Sequence, residues 1–260
     1  MRSIKVIFSA AGLALVFIMV TAFIDMHYEK KIRNIQQPVD RNGFAVVELF
    51  TSEGCSSCPP ADELMEKIQK ENQNKQVYIL AFHVDYWDHQ GWKDRFSDHD
   101  FSLRQGQYAN WMGLQTVYTP QVIVNGAVEM VGSEQGRVLQ AITDGLNQAV
   151  TSSLTLHYEI KDGKLLIVYD SAKKDKKSEL VLALVQRSAS SRVKSGENSG
   201  RALSHVQIVR QLAHLRMEDK KTATFILPTD FDKSGWELIG FVQNEQNGQI
   251  TDAARVSFDQ

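Results

Sequence analysis

Two cysteines, Cys55 and Cys58, are the feature of this sequence that most restricts its local structure. They are the only cysteines in the chain, and two residues separate them. The apolar run FAVVELF before them is typical of a buried strand, and DELMEKIQKENQ after them has charged and apolar residues on opposite helix faces. Pro59 and Pro60 suit a first helical turn, where the N–H that proline lacks would be unpaired. The sequence therefore predicts a strand, a turn and a helix, with Cys58 at the helix start.

The spacing of the cysteines argues against a purely structural bridge. A disulfide that closes so small a loop stabilises a fold by about 2 kcal/mol, against about 5 kcal/mol for a loop of a hundred residues. At a helix start, the helix dipole favours a thiolate over a thiol. We predict that Cys55 is the attacking nucleophile and that Cys58, the more enclosed cysteine, resolves the mixed disulfide. A metal site and an inert surface pair are the alternatives, since both also use this spacing.

The N-terminus carries an export signal. Two basic residues precede Val6–Ile24, a stretch without charge, which as a helix would be about 28 Å long, close to the thickness of a bilayer core. Residues 1–34 are predicted to be a signal anchor in the inner membrane or a cleaved signal peptide, with small residues at 20–22 suiting cleavage. Residues 35–43 are polar and are predicted to form a linker. The remaining chain is expected in the periplasm or another extracytoplasmic compartment, membrane-anchored or secreted, where cysteines pair.

A change of pattern near residue 150 predicts two domains, which a chain of 260 residues is long enough to form. Residues 44–150 mix strands and helices, with QVYILAFHV as a second strand parallel to the first and Asn125-Gly126 in a β-hairpin. Residues 151–260 show short alternating segments, which predict an antiparallel β-sandwich. The expected fold class is therefore an α/β domain followed by a β-sandwich. The formal net charge of -2 gives no electrostatic reason to expect nucleic acid.

A Thr-Pro dipeptide is predicted to complete the site. Pro120 opens the strand QVIVNG, and in this order of strands and helices such a loop lies against the cysteine pair. We predict a cis bond between Thr119 and Pro120, which would present the backbone of Thr119 to an extended substrate. Tyr86 and Trp87 are expected to pack beside the cysteines and to take part in substrate binding.

Histidines and carboxylates near the second strand raise a metal site as an alternative. The groups concerned are His83, Asp85, Asp88, His89 and His99. We favour turns and hydrogen bonds for the carboxylates, and expect neither a metal ligand here nor a cofactor. His205 and Arg201 are expected at solvated loop positions, with an interdomain surface as the alternative.

The sequence resembles the thioredoxin superfamily and, more narrowly, a bacterial exported family called domain of unknown function 1223. The resemblance rests on VVELFTSEGCSSCPPAD (46–62), HVDYWDHQGWKD (83–94), RQGQYA (104–109), YTPQVIVNG (118–126) and SGENSGRALSHVQIVR (195–210). It implies a thioredoxin-like fold in the α/β domain and redox activity, but no physiological substrate.

The resemblance also singles out Glu48. Thioredoxins keep a buried acid on the strand before the cysteines, and Glu48 occupies a similar place, one residue farther from Cys55 than is usual. Glu48 would then be a buried proton acceptor for Cys58. A hydrogen-bonded or solvent-facing carboxylate at the end of a strand is the alternative.

The leading hypothesis for function is an exported thiol-disulfide oxidoreductase that acts through Cys55 and Cys58 on protein or small-molecule disulfides. Its expected partners are exported protein thiols or disulfides and a redox partner protein. One alternative is a protein that handles copper or another soft metal with the same cysteines. The other is a non-catalytic binding module.

Overall fold

A computed structural model describes residues 43–72, 75–150, 153–172, 175–217 and 222–259, together with four isolated positions nearer the N-terminus. The predicted anchor or signal peptide (1–34) and the linker (35–43) lie almost entirely outside these residues. Among the described residues, none of the helices combines the length and the apolar character that crossing a bilayer requires.

Three α-helices and eleven strands are found in the described residues. The helices are α1 (Pro59–Glu71), α2 (His99–Met112) and α3 (Gln135–Leu146). The strands are β1 (Ala45–Thr51), β2 (Val77–His83), β3 (Gln121–Val124), β4 (Val128–Val131), β5 (Thr155–Lys161), β6 (Lys164–Asp170), β7 (Ser178–Arg192), β8 (Ala202–Arg216), β9 (Thr222–Ile226), β10 (Trp236–Asn244) and β11 (Ile250–Ser257).

The predicted elements around the cysteines are confirmed. β1 leads through a turn into α1, and β2 returns parallel to β1, with Ala45 opposite Val77. β3 and β4 form the predicted hairpin, in which Asn125 and Gly126 have φ angles of 51° and 63°. Asparagine and glycine adopt these positive φ values more readily than other residues, so this dipeptide allows the tight turn.

The predicted fold class, an α/β thioredoxin-like domain followed by an antiparallel β-sandwich, is wrong. Strands from both sides of residue 150 form one mixed sheet of eight, in the order β11-β10-β7-β8-β2-β1-β3-β4. β8 joins β2 as a parallel neighbour, with Ala81 opposite Ile208. β5, β6 and β9 form a separate antiparallel sheet. The described residues are thus mostly strand, and the boundary between residues 150 and 151 stays a prediction.

The physical reason for this error lies in β8. An apolar strand such as β2 needs a neighbour on each edge for its backbone N–H and C=O groups, but the sequence of β2 does not specify which strand that is. β8 is ALSHVQIVRQLAHLR, and its burial follows no regular alternation. Because of its polar residues, this strand of 15 residues was not predicted from the sequence. The single sheet that β8 forms with β2 was therefore not predicted either.

Three apolar clusters hold the sheets and helices together. One lies between the large sheet and helices α1 and α3, and includes Leu49, Met65 and Ile142. The second lies on the opposite face of the same sheet, beneath α2, and includes Phe50 and Tyr108. The third lies between the large sheet and the β5-β6-β9 sheet. β1 and β2 are buried along their whole length, because helices cover the sheet around them on both faces.

Candidate functional site

Cys55 and Cys58 form a disulfide between the end of β1 and the start of α1, with their Cα atoms 5.4 Å apart. Cys58 is the N-cap of α1, and Pro59 and Pro60 occupy its first two helical positions. The Cys58 carbonyl accepts hydrogen bonds from the backbone N–H groups of Ala61 and Asp62, at 2.9 and 3.2 Å. The predicted position of the second cysteine is confirmed, and the bridge lies where the helix dipole begins.

Both cysteines are buried, each with 0% of its surface exposed. Cys55 is therefore not the exposed partner that the sequence suggested. Its Sγ lies 3.3 Å from the Ser57 hydroxyl oxygen, which is placed to donate a hydrogen bond to a thiolate. Pro59 and Pro60 have no N–H, so side-chain hydroxyl groups contribute more to stabilising a thiolate here than the backbone amides of the first helical turn do.

The predicted cis bond between Thr119 and Pro120 is confirmed. The Ser57 hydroxyl lies 3.5 Å from the Thr119 carbonyl oxygen, to which it donates. A Cβ atom built on Gly132 would lie 3.2 Å from Pro120 Cβ and 3.0 Å from Ala61 Cβ, so the proline lies near the first turn of α1. The structure thus brings Thr119 and Pro120 to the cysteine pair, as the sequence predicted.

Trp87 and Tyr86 also lie at this site. The Trp87 indole N–H donates to the Thr119 hydroxyl oxygen over 2.8 Å. A Cβ on Gly54 would lie 3.2 Å from Trp87 Cβ, so Trp87 packs against the turn that carries Cys55. The Tyr86 hydroxyl donates to Gln105 at 3.1 Å, and burial raises the pKa of Tyr86 to about 12. Their role in substrate binding stays a prediction.

Glu48 lies on the other face of β1. Its carboxylate accepts a hydrogen bond from Arg104 Nε at 2.6 Å and another from the Tyr108 hydroxyl. Arg104 belongs to α2, so this ion pair joins α2 to β1, and both of its members are almost fully buried. Helix α1 packs on the opposite face of the sheet, and no hydrogen bond joins Glu48 to a cysteine among the described contacts. Its role as proton acceptor for Cys58 stays a prediction.

A buried cluster of charged groups surrounds the cysteine segment instead. The His83 Nδ1 atom is 2.6 Å from Asp94 Oδ2, and the same oxygen accepts from the Glu53 backbone N–H at 2.8 Å. His205 lies between Glu53 and Asp62, at 3.6 Å and 3.7 Å from their carboxylate oxygens. The rings of His205 and His83 meet edge to face, with centroids 4.8 Å apart.

The charged groups in this cluster shift one another's pKa values. Burial opposes the charged form of Asp94, but the charge and hydrogen bond of His83 outweigh it and lower the pKa of Asp94 to about 2. Burial also opposes protonation of His205, yet the carboxylates of Asp62 and Glu53 raise the pKa of His205 to about 9. Despite burial, the neighbouring imidazole of His205 lowers the pKa of Glu53. His205 is therefore a buried imidazolium at neutral pH.

The β7–β8 loop, residues 193–201, covers the cysteine segment. The Asn198 amide donates to the carbonyl oxygens of Glu53 and Cys55, each at 2.9 Å. Glu197 accepts a hydrogen bond from the Ser56 backbone N–H at 3.1 Å. Ser195 and Gly196 contact the segment around Trp92. A hairpin from the far end of the chain therefore contributes directly to the burial of the disulfide.

Sequence reasoning missed this contribution. The solvated loop position expected for His205 is wrong, because His205 is 1% exposed inside a strand. Arg201 is exposed in a loop as expected, and it donates to the side chain of Asn198. The available signal was the SGENSG stretch at 195–200, one of the motifs that carried the family resemblance.

The residues considered for metal binding are dispersed. His83 pairs with Asp94, whereas His99 pairs with Asp85 at 3.0 Å on the surface. Asp88 accepts hydrogen bonds from the Ser97 hydroxyl and the Asp94 backbone. Within the part of the chain that the structure describes, no three His, Cys, Asp or Glu side chains are grouped so that they could hold a metal ion.

A cleft of about 750 Å³ lies elsewhere, along the C-terminal half of α1 and strands β10 and β11. Arg187, Gln207 and Glu237 line it, and their side chains are joined in one hydrogen-bonded chain. It contains no cysteine. We place the candidate site at the disulfide, because buried groups with perturbed pKa values lie in and against the segment that carries it.

Comparison with known proteins identifies the family. The family described as "Protein of unknown function (DUF1223)" matches residues 46–243. The chain belongs to this family. The DUF1223 match includes the cysteine motif, the Thr-Pro loop and the β7–β8 loop, so all three parts of the site lie within the family's domain. The wider resemblance to the thioredoxin superfamily is not confirmed.

One solved structure has a similar fold, and its description names no activity. The crystal structure of protein AGR_C_4864 from Agrobacterium tumefaciens is 28% identical, with a TM-score of 0.63, and the match covers 85% of this chain and 96% of that one. A domain of the outer membrane lipoprotein Omp28 from Porphyromonas gingivalis is 14% identical over 42% of this chain and 92% of its own, with a TM-score of 0.22, too low to carry an argument. No curated protein matches.

Proposed function

We propose that this protein is an exported thiol-disulfide oxidoreductase whose working pair is Cys55 and Cys58. The observation that carries the proposal is the disulfide at the N-terminus of α1, with the Ser57 hydroxyl 3.3 Å from Cys55 Sγ. A bridge over so short a loop contributes little to stability. A helix N-terminus and a hydroxyl donor both stabilise a thiolate, which is the reactive form in exchange.

The exchange proceeds in two balanced steps. A substrate thiolate attacks Cys55 Sγ, the Cys55–Cys58 bond breaks, and Cys58 leaves as a thiolate. A second substrate thiolate then attacks the substrate sulfur of the mixed disulfide, and Cys55 leaves as a thiolate. Two electrons have passed from the substrate to the pair. The protons that the substrate thiols lost before attack go to solvent, and the Cys55 and Cys58 thiolates take up protons from solvent. A redox partner protein with its own disulfide then reoxidises the pair by the reverse steps. If the partner is instead a reductant, it reduces the pair, and the pair then reduces substrate disulfides.

The burial of both sulfurs adds one requirement to this mechanism. A protein disulfide reaches Cys55 only when its cover opens, and the β7–β8 loop is held to the cysteine segment by few contacts, chiefly those of Asn198 and Glu197. Ser57, Thr119 and Trp87 then form the walls of the exposed site. An extended substrate would lie along the Thr119 backbone.

The test uses the full-length protein in detergent, equilibrated with glutathione or dithiothreitol buffers. We expect the pair to change from oxidised to reduced at one potential between about -270 and about -120 mV. A Cys58→Ser variant should trap mixed disulfides through Cys55, whereas Cys55→Ser, the matched control, should trap few. Equal trapping by both variants would contradict the assigned roles.

Two biochemical outcomes, and a third in the cell, would overturn the proposal as a whole. One is a pair that stays oxidised in every buffer while the protein remains folded. The other is tight Cu(I) binding by the reduced pair together with no exchange, which would favour metal handling. Biological function retained in a Cys55→Ser variant would favour a non-catalytic binding module.

We also propose that residues 44–260 lie outside the cytoplasm, with residues 1–34 as an inner-membrane anchor or a signal peptide. The charge-free stretch Val6–Ile24 supports this location, and an oxidising compartment would favour the Cys55–Cys58 disulfide. Residues 1–43 fused to a reporter enzyme that is active only outside the cytoplasm should give an active fusion. An inactive fusion would contradict export.

A further inference from the structure

His205 is a buried cation in contact with two carboxylates from other elements. Its Nε2 atom lies 3.6 Å from Glu53 Oε1, and its Nδ1 atom lies 3.7 Å from Asp62 Oδ1. Both carboxylates are themselves buried, Glu53 in the turn after β1 and Asp62 in the first turn of α1. The histidine comes from β8, far along the chain, so the sheet brings these three groups together.

The two carboxylates flank the cysteine pair. Glu53 is two residues before Cys55, and Asp62 is four residues after Cys58, whose carbonyl accepts the Asp62 backbone N–H. In the reduced protein, a thiolate would therefore share this short segment with two buried negative charges. Like charges in a poorly solvated site disfavour a further anion, whereas a neighbouring cation favours it.

We propose that His205 is a positioning residue that balances the charge of Glu53 and Asp62 and thereby allows the cysteine pair to carry a thiolate. This inference rests on the proposed function and concerns the same site. His205 does not touch the substrate in this scheme. It increases the thiolate fraction of the reduced pair, and so makes the pair a stronger oxidant.

The other charged groups around His205 do not offset the negative charge of Glu53 and Asp62. His83, at the end of β2, is 2.6 Å from Asp94, and the Asp94 carboxylate also raises the pKa of His205. The Phe96 ring packs on His205 with centroids 5.9 Å apart, and two guanidinium groups lie against that ring, those of Arg95 and Arg210. The Trp92 indole N–H donates to Glu53 without bringing a charge. The pKa of about 9 that His205 acquires here keeps it charged at neutral pH.

The test measures the rate of cysteine alkylation against pH in the reduced full-length protein. We expect His205→Asn to slow alkylation near pH 6 by about tenfold, which corresponds to about one unit in the apparent pKa of the thiol. The reduction potential should become more negative by about 30 mV for each tenfold change in the exchange equilibrium. His214→Asn is the matched control, because His214 lies exposed on the same strand, and should change neither quantity.

A second pair of variants separates charge from packing. Asp62→Asn alone keeps His205 in place and should speed alkylation, and it remains informative if His205→Asn does not fold. The double variant, His205→Asn with Asp62→Asn, restores the net charge of the cluster and should recover most of the wild-type rate. A purely structural role would give no such recovery, because a second buried substitution adds to the damage.

Two results would overturn the inference: an unchanged alkylation profile in folded His205→Asn, or slower alkylation in Asp62→Asn. The pH at which alkylation reaches half its maximum rate reports the thiolate, whether or not the protein exchanges disulfides and whatever fraction of the molecules has an open cover. Failure of the proposed function would therefore appear differently, as a wild-type pair that does not equilibrate with glutathione while the effect of His205 on alkylation persists.

Discussion

Replacing Asn198 with alanine should open the cover over the disulfide. The Asn198 amide donates two hydrogen bonds of 2.9 Å, one to the Glu53 carbonyl and one to the Cys55 carbonyl. Each contributes about 1 kcal/mol to the closed state. Their loss destabilises closure of the β7–β8 loop by about 2 kcal/mol, which is a factor of about 30 in the population of the open state.

The rate at which dithiothreitol reduces the Cys55–Cys58 bond measures this opening. Both sulfurs are 0% exposed in the closed structure, so reduction proceeds through the open state and its rate follows the open population. We expect Asn198→Ala to be reduced about 30 times faster than the wild type. The acceleration should persist in low urea with little further increase, because local opening exposes little surface.

The control for this experiment is Ser199→Ala. The Ser199 hydroxyl donates to the Lys194 carbonyl within the same loop and makes no hydrogen bond to the cysteine segment. Its reduction rate should stay within about twofold of the wild type, since a surface substitution changes stability by about 0.5 kcal/mol or less. Equal rates for Asn198→Ala and the wild type would refute the view that this loop controls access to the disulfide.

Four further predictions concern stability and reactivity. Arg104→Met leaves a buried carboxylate without its partner and should cost about 3–5 kcal/mol in urea unfolding, whereas Arg137→Met, which breaks an exposed ion pair, should cost about 1 kcal/mol or less. Ser57→Ala removes the hydroxyl 3.3 Å from the reactive sulfur and should slow alkylation of the reduced protein near neutral pH. Asp94 has a pKa lowered from 3.8 to about 2, so its contribution to stability is complete above about pH 4 and should be lost as pH falls towards 2. His205 has a pKa raised from 6.5 to about 9, so its contribution is complete below about pH 6 and should be lost as pH rises through 9; urea midpoints across pH measure both losses.

Local sequence was sufficient to predict the strand and the helix that flank the cysteines. The apolar run of β1, the two prolines after Cys58 and the Asn125-Gly126 turn each act over a few residues, and the structure has the strand, helix start and hairpin that they predict. The Thr119-Pro120 loop was also placed correctly beside the cysteine pair. These features follow from the backbone preferences of single residues and their neighbours, which a sequence displays directly.

The charged cluster could not be inferred in the same way. Glu48 looked like the buried acid of the site, because it lies on the strand before the cysteines, but its carboxylate is bound by Arg104 on the opposite face of the sheet. Asp62 and His205 were ordinary polar residues in the sequence. They became a buried pair beside the disulfide because β8 packs against α1.

Sequence alone was enough to predict that the cysteine pair lies at the start of a helix, next to a proline loop. Only the tertiary structure decided that β8 extends the same sheet and that its hairpin covers Cys55. The physical reason is the range of the interactions. Turn and helix-start preferences act within a few residues, whereas the choice of neighbour for the edge of β2 and the partners of a buried charge depend on segments more than a hundred residues away.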